Sequence, residues 1–168
     1  PQSSEDPAVV LYTSGSEALP KAVPLTHKNL ISNLIGAWNI MHIKQDERFF
    51  CYLPPFHSFG FTVNTVFPLV AGFRSVSTPD PNDSLTVAQL IAHSKPTLLA
   101  TTPTFLRNLL NVAKSEQLAS LRYVITGGEK CSESLFERFR QAVPHGVKVV
   151  VMENRDAAEA VPAEAVPA

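Results

Sequence analysis

The sequence has only two cysteines among its 168 residues, Cys51 and Cys131, and they lie far apart. A small secreted protein held by disulfides needs many closely spaced cysteines, and a zinc site needs cysteines or histidines in a ligand pattern. Neither pattern is present. The two thiols therefore indicate neither a disulfide scaffold nor a zinc centre. They favour a reducing compartment, and we predict a cytoplasmic location.

An excess of charge of one sign and a long apolar run are also missing. The chain has 14 basic and 15 acidic residues, so we expect no nucleic-acid partner. Asn64, Pro68 and Gly72 interrupt the best apolar stretch, which leaves it shorter than the roughly 20 residues of a membrane-spanning helix. No transmembrane segment or signal peptide is predicted, and peripheral contact of a larger protein with a membrane stays open.

What the sequence does have is a regular alternation of two kinds of apolar segment. Strand-like runs occur at 9–12, 49–53, 74–78, 97–100, 121–125 and 148–152. Helical spacing occurs at 26–41, 61–70, 84–93, 103–112 and 132–143, with Thr26 as the N-cap of the first helix and Gly72 near the end of the second. This alternation predicts an α/β fold, with a mostly parallel sheet flanked by helices.

The end of the chain differs in composition from the rest. The segment Glu159–Ala163 reads EAVPA and is repeated without change as Glu164–Ala168. It has no aromatic residue and little apolar surface to bury. We therefore predict one folded unit over residues 1–152 and a disordered or foreign tail over residues 153–168.

A run of small and hydroxyl residues, YTSGSEALPK, follows the first strand and ends at Lys21. We interpret it as a strand-to-helix turn, where proteins commonly hold phosphates. Small side chains let backbone N–H groups approach an oxyanion, the hydroxyls of Thr13, Ser14 and Ser16 are further donors, and Lys21 is a compact positive charge. The spacing is not that of the common P-loop, because no second glycine precedes the lysine. A plain surface loop is the alternative.

Two later segments also place polar groups in loops. LPPFHSFG, ending at Gly60, holds His57 among prolines and aromatics, and ITGGEK, ending at Lys130, holds a Gly-Gly pair after a strand. An isolated histidine of this kind is more often a packed residue, and a Gly-Gly pair is often only a turn. Five apolar residues lie near His57: Phe56, Phe59, Phe61, Val63 and Phe67. They could line a slot for a fatty chain, but for most of them a place in the hydrophobic core is the better interpretation.

In their order along the chain, these segments together with PLTH at 24–27 resemble the motifs of the acyl-adenylating (AMP-binding) superfamily. It comprises acyl- and aryl-CoA synthetases, peptide-synthetase adenylation domains and luciferases. Ser16-Glu17 and Gly128-Glu129-Lys130 are most similar to acyl–acyl carrier protein synthetases and 2-acylglycerophosphoethanolamine acyltransferases, with long-chain fatty acyl-CoA ligases nearby. The resemblance covers about residues 8–151 and implies that 1–152 is part of the large N-terminal adenylation domain.

The resemblance implies a two-step ligase reaction. A fatty-acid carboxylate attacks the α-phosphate of Mg²⁺-bound ATP to give acyl-AMP and pyrophosphate, and a thiol of acyl carrier protein or CoA then takes the acyl group. The β- and γ-phosphates would be held by Thr13, Ser14, Gly15, Ser16 and Lys21. A wall beside adenine would be formed by Gly127, Gly128 and Glu129. His57 would lie between the acyl pocket and the nucleotide, to orient the carboxylate or gate the channel.

The sequence departs from the family pattern in two ways. Ala18 and Ala22 stand where glycines are usual, and an alanine is strained wherever the backbone needs a positive φ. After Val151 the motif with the magnesium-holding glutamate is absent, as are the ribose-binding aspartate and the catalytic lysine. We therefore expect no complete set of catalytic residues, no metal site and no turnover by this chain alone. There are two alternatives. The chain could be a non-catalytic nucleotide- or acyl-binding module, or a structural α/β piece without ligand affinity.

Overall fold

The computed structural model describes residues 3–13, 20–41, 43–44, 46–143 and 147–152. These residues form a five-stranded parallel sheet with helices on both faces, and a separate two-stranded hairpin. The predicted α/β fold with a mostly parallel sheet is confirmed. The predicted tail at 153–168 lies outside the described residues. No helix in the part of the chain that the structure describes has the length and apolar character to span a membrane.

The hairpin consists of two antiparallel strands, β1 (Pro7–Thr13) and β2 (Lys21–Thr26). The predicted strand at 9–12 is confirmed, but the prediction that the following loop leads directly into a helix is wrong. Residues 21–26 form a strand instead. The sequence pattern missed it because Pro24 argues against a central strand, whereas the outer side of a two-stranded ribbon tolerates a residue without an N–H.

Helix α1 (His27–Met41) follows β2 without a connecting loop. Thr26 caps it, since the Thr26 Oγ1 accepts a hydrogen bond from the Asn29 N–H at 3.2 Å. The Asn29 Oδ1 accepts in return from the Thr26 N–H at 3.0 Å. This reciprocal pair satisfies two backbone donors at the start of the helix and confirms the predicted cap.

The strands of the parallel sheet are β3 (Arg48–Cys51), β4 (Arg74–Ser77), β5 (Leu98–Thr101), β6 (Tyr123–Gly127) and β7 (Lys148–Met152). Their spatial order is β4-β3-β5-β6-β7. Alternate side chains point to opposite faces of the sheet. Phe49, Leu98 and Ile125 therefore belong to one hydrophobic core, and their neighbours Phe50 and Leu99 belong to the other.

The helices divide between these two faces. α1, a π-helix (Gly60–Val66) and α2 (Phe67–Ala71) cover the face of Phe49. α3 (Ser84–Ser94), α4 (Pro103–Val112), α5 (Ser115–Leu118) and α6 (Glu133–Ala142) contribute to the core on the face of Phe50. The predicted buried helix at 61–70 is π-helical in its first part, and its end is exposed at Leu69 and Val70. The helix ends at Gly72, as predicted, and Gly72 adopts a left-handed conformation.

An ion pair with a buried carboxylate lies at the amino-terminal edge of the sheet, just before β3 and β6 begin. The Glu47 side chain is 1% exposed, and its Oε1 lies 3.1 Å from Nη1 of Arg122, whose side chain is 48% exposed. The contact is an ion pair rather than a well-directed hydrogen bond. A buried carboxylate is costly without a counter-charge, so Arg122 makes the burial of Glu47 tolerable.

We predict that Arg122→Ala lowers the free energy of unfolding by about 1–3 kcal/mol, because it leaves a buried carboxylate without its cation. Adding Glu47→Gln to that variant should recover part of the loss, since a neutral amide is easier to bury. Urea unfolding measures both effects. Arg140→Ala is the control, because its pair with Glu137 is exposed and should contribute about 0–1 kcal/mol. Equal losses in Arg122→Ala and Arg140→Ala would contradict the prediction.

Candidate functional site

The strand order creates one crevice in the sheet. From β3 the chain moves outward to β4, and it then returns to β5 on the other side of β3. The connections after β3 and β5 therefore leave the sheet in opposite directions. In open parallel sheets, ligands bind outside the carboxyl ends of the strands at such a reversal.

A cavity of about 500 Å³ lies at this position. Its walls come from the segments that follow β3, β5 and β6, from the end of β6 itself, and from α1, the π-helix and α2. The lining residues are Asn33, Leu34, Ala37, Leu53, Pro54, His57, Ser58, Phe59, Gly60, Thr62, Val63, Phe67, Thr102, Phe105, Ile125, Gly128 and Glu129. The cavity thus joins two segments that are far apart in sequence, the loop of His57 and the loop of Gly128 and Glu129.

The loop of His57 is held by two backbone hydrogen bonds. The Pro54 carbonyl accepts from the His57 N–H at 3.3 Å, and the His57 carbonyl accepts from the Phe61 N–H at 2.7 Å. Gly60 closes the loop, because a Cβ at this position would lie 2.1 Å from the Pro54 carbonyl oxygen. Only glycine permits this approach. His57 is exposed on this loop, and its contact with a substrate stays a prediction.

The loop of Glu129 is held by the N-terminus of α4. The Glu129 Oε2 accepts from the Thr104 N–H at 3.1 Å and from the Thr104 Oγ1 at 2.6 Å. Thr102 is the N-cap of the same helix, and its Oγ1 accepts from the Phe105 N–H at 3.4 Å. The two side chains together satisfy two of the helix's free donors, and the carboxylate lies at the positive end of the helix dipole.

Gly128 turns the chain between β6 and Glu129. Its φ is +79°, a conformation that favours glycine, while a Cβ would meet only the Thr102 Cγ2 at an ordinary 3.8 Å. Conformation rather than space therefore requires glycine here. Gly127 is the buried last residue of β6 and is not among the cavity-lining residues. Of the three residues predicted beside adenine, Gly128 and Glu129 line the cavity, and placement of adenine against them stays a prediction.

The predicted phosphate loop connects β1 and β2. Thr13 and Lys21 are register partners across the hairpin, so they close the two ends of the loop. Ser14, Gly15, Ser16 and the departure at Ala18 lie outside the described residues. Since the strand β2 follows this loop, the predicted strand-to-helix turn is wrong, and no helix N-terminus directly follows the loop to hold a phosphate. Lys21 is exposed and is not part of the cavity wall, so its proposed phosphate contact stays a prediction.

The departure at Ala22 creates no backbone strain. Ala22 lies within β2, opposite Tyr12, and Lys95 is the only non-glycine residue with a positive φ in the described ranges. An extended strand residue does not need glycine. The strain expected for an alanine at position 22 is therefore absent.

The predicted apolar slot is only partly present. Phe59, Val63 and Phe67 line the cavity, and Val63 and Phe67 are also buried in the core on that face of the sheet. Phe61 is half-buried and does not line the cavity, while Phe56 is 72% exposed. The sequence interpretation that most of these residues are core holds for Val63 and Phe67, which also line the cavity. A fatty chain in this cavity stays a prediction.

Sequence reasoning missed the contribution of Thr102 and Phe105. Their positions at the cavity depend on β5 pairing beside β3, which no local pattern shows. A partial signal existed, because Thr-Pro at 102–103 is an N-cap followed by proline, and such a helix start after a strand faces the carboxyl edge of the sheet.

Two ionisable groups next to the cavity wall are not suited to proton transfer at neutral pH. Burial raises the pKa of the Cys51 thiol to about 12. Burial also raises the pKa of the Tyr52 phenol above its usual value, although a hydrogen bond with Thr101 opposes this. Across the described residues, no three His, Cys, Asp or Glu side chains converge as metal ligands.

The family comparison agrees with this geometry. The model of the AMP-binding enzyme family matches residues 1–152, and the chain belongs to this family. It is 30% identical over 145 residues to the medium-chain fatty-acid–CoA ligase of Escherichia coli (strain K12), covering 85% of this chain and 25% of that protein. It is 27% identical over 144 residues to tyrocidine synthase 3 of Brevibacillus parabrevis, covering 84% of this chain and 2% of that protein.

Solved structures show the same fold. ATP-bound MatB from Rhodopseudomonas palustris superposes with a TM-score of 0.77 at 25% identity, over 90% of this chain and 30% of that chain. The nonribosomal peptide synthetase FmoA3 superposes with a TM-score of 0.80 at 22% identity, over 92% of this chain and 16% of that chain, which supports the fold alone. The chain therefore spans less than a third of the length of each of these relatives.

We predict that Gly60→Ala destabilises the protein by about 1–3 kcal/mol, because the added methyl collides with the Pro54 carbonyl. Gly36→Ala is the matched control. It adds the same methyl in α1, where no atom lies within 4 Å, and should be neutral or stabilising. Thermal and urea unfolding compare the two variants. An equal change in the free energy of unfolding for both substitutions would contradict the prediction, because it would mean that the chain accommodates the added methyl at position 60 without losing stability.

We predict that Glu129→Ala lowers the free energy of unfolding by about 1 kcal/mol, because the Thr104 N–H loses its acceptor. Glu129→Gln keeps a carbonyl oxygen and should lose less. Amide hydrogen exchange at Thr104 reports the cap directly and should accelerate in the alanine variant. Unchanged exchange at Thr104 in Glu129→Ala would contradict the capping role.

Proposed function

We propose that the protein containing this chain activates a carboxylic acid with ATP. The carboxylate attacks the α-phosphate, acyl-AMP forms and pyrophosphate leaves. A thiol then attacks the acyl carbonyl of acyl-AMP, which gives a thioester and releases AMP and a proton. The observation that carries this proposal is the cavity at the strand reversal, where the loops of His57 and Glu129 meet in a chain of the AMP-binding enzyme family.

The nucleotide would lie at the end of β6. Gly128 has no side chain and is exposed, so a flat base can approach its backbone. Glu129 is oriented by Thr104, which supports a fixed wall rather than a mobile loop. We place the polyphosphate at the hairpin loop that Thr13 and Lys21 close, together with Ser14, Gly15 and Ser16. An ammonium group beside phosphates neutralises charge and positions the nucleotide for attack.

The acid would lie in the apolar part of the cavity. Leu34, Val63 and Phe67 are buried there, and each methylene of a fatty chain that is removed from water contributes about 0.8 kcal/mol. We therefore propose a fatty acid as substrate. His57 is exposed at the cavity wall, where an imidazole can orient the carboxylate by a hydrogen bond or gate access. Its role is positioning, and we do not assign it as a base.

We propose Mg²⁺ as the companion of ATP, acyl carrier protein or CoA as the acceptor, and the cytoplasm as the location. Magnesium prefers phosphate and carboxylate oxygens and would supply charge neutralisation when bound with ATP. The sequence has no counterpart of the family's magnesium-holding glutamate motif. We therefore propose that this chain alone binds ATP without turning over.

We predict that Lys21→Ala weakens ATP binding by at least about tenfold, because a charge-assisted contact to phosphate is lost. Isothermal titration calorimetry with Mg²⁺-ATP measures this. Lys28→Ala is the control, because Lys28 is also an exposed lysine close to β2 and is paired with Glu5. Equal weakening by both variants would indicate general charge attraction, and no ATP binding by the protein would overturn the proposal.

Catalysis is tested separately on a polypeptide that contains this chain and the rest of the ligase. Pyrophosphate release that depends on both ATP and octanoate is the expected result. Nucleotide binding without such release in that polypeptide would favour the non-catalytic binding module instead.

A further inference from the structure

A polar residue lies inside the apolar core beside the cavity. Asn64 is 5% exposed and belongs to the π-helix, between Val63 on the cavity wall and the aromatic core around Phe67. A buried amide is unfavourable unless its polar atoms are paired. π-Helical segments are rare in proteins and occur frequently at functional sites. Apolar packing therefore does not explain an asparagine at position 64.

The Asn64 side chain is hydrogen-bonded to the backbone at the end of β3. Its Oδ1 accepts a hydrogen bond from the Tyr52 N–H at 3.0 Å, and this contact is buried. Tyr52 follows Cys51, the last residue of β3, and is the point where the chain leaves the sheet. The side chain thus extends the hydrogen bonding of the strand by one residue and sets the direction in which the chain departs.

This bond closes the loop that carries His57. The loop begins at Tyr52 and returns at Asn64, and inside it the close contact between Gly60 and the Pro54 carbonyl forms a second closure. The π-helical winding sets which side of the segment Asn64 occupies. In an α-helix each following side chain would be rotated to a different position. The unusual winding and the Asn64 bond therefore belong to one arrangement.

The other end of the amide has no such partner. The Asn64 Nδ2 is buried and makes no hydrogen bond to any of the residues that the structure describes. Unpartnered buried donors are uncommon in native proteins. An apolar side chain would avoid this donor but could not accept from Tyr52. Asn64 therefore accepts the hydrogen bond at the end of β3, although its own Nδ2 donor has no partner among the described residues.

We propose that Asn64 is a positioning residue for the substrate cavity, because it fixes the loop that presents His57. Its consequence for catalysis rests on the proposed function, while its effect on the loop does not. Asn64 touches no reacting group and acts through the Tyr52 backbone and the path of the chain from Pro54 to Gly60.

The test on the loop uses the 168-residue chain without ligand. Asn64→Leu removes the acceptor, and Asn64→Asp keeps an oxygen at the same position. All variants are compared at about pH 4, where burial keeps the new carboxyl of Asn64→Asp protonated and uncharged. Val87→Ala is the control for general destabilisation, because Val87 is 1% exposed and lies in the core on the opposite face of the sheet. Amide hydrogen exchange, followed by NMR at Tyr52, His57 and Phe61, is the measurement.

We expect Asn64→Leu to accelerate exchange at these three amides by about tenfold more than Val87→Ala does at matched stability. Asn64→Asp should restore slow exchange. If Asn64→Leu does not fold, Asn64→Ala provides the same comparison. Equal acceleration at the loop in the Asn64 and Val87 variants, or no recovery with Asn64→Asp, would overturn the positioning role.

A second measurement separates this role from the proposed function. A non-hydrolysable octanoyl-adenylate analogue should bind about tenfold more weakly to Asn64→Leu than to the unaltered chain, while the affinity for ATP alone changes by less than about twofold. Equal losses for both ligands would contradict selective positioning of the acid. If the unaltered chain binds neither ligand, the proposed function fails, and the exchange data still decide whether Asn64 holds the loop.

Discussion

Parallel pairing of β3 with β5 is the constraint on which the site depends. Phe49 and Phe50 pair with Leu98 and Leu99, and these four side chains are fully buried on alternating faces of the sheet. Because β4 lies on the other side of β3, the segments that leave β3 and β5 diverge. The cavity lies between them. Without this pairing, the loop of His57 and the start of α4 would have no common position.

Around this constraint, two side-chain hydrogen bonds and one close backbone approach hold the loops at the cavity. Glu129 joins the loop after β6 to the start of α4. Asn64 joins the π-helix to the end of β3. Gly60 permits contact with the Pro54 carbonyl. These contacts are few and directional, whereas the two hydrophobic cores are extensive and less specific. The cores support the sheet, and the polar contacts decide where the loops lie.

Strong local signals made most elements predictable. The strand at 148–152 and the helices beginning near Ser84 and Pro103 have clear apolar periodicity and recognisable starts. β2 was not predicted, because Pro24 is a poor strand residue unless the strand lies at an edge. Whether a strand lies at an edge depends on which strand it pairs with. The π-helical winding was not predicted, because the apolar pattern of this segment is that of any buried helix. The winding depends on where Asn64 and Gly60 make contact.

The sequence by itself determined the alternation of strands and helices, the Thr26 cap, the glycine at 72 and the family motifs, because each is encoded within a few neighbouring residues. Only the tertiary structure decided that β1 and β2 form a hairpin, that Glu129 caps α4, and which apolar residues near His57 reach the cavity. The last two depend on contacts between segments that are far apart in sequence, such as Thr104 and Glu129, and the hairpin depends on the register of two strands. Local patterns do not encode such distances, since register and contact arise only when the sheet assembles.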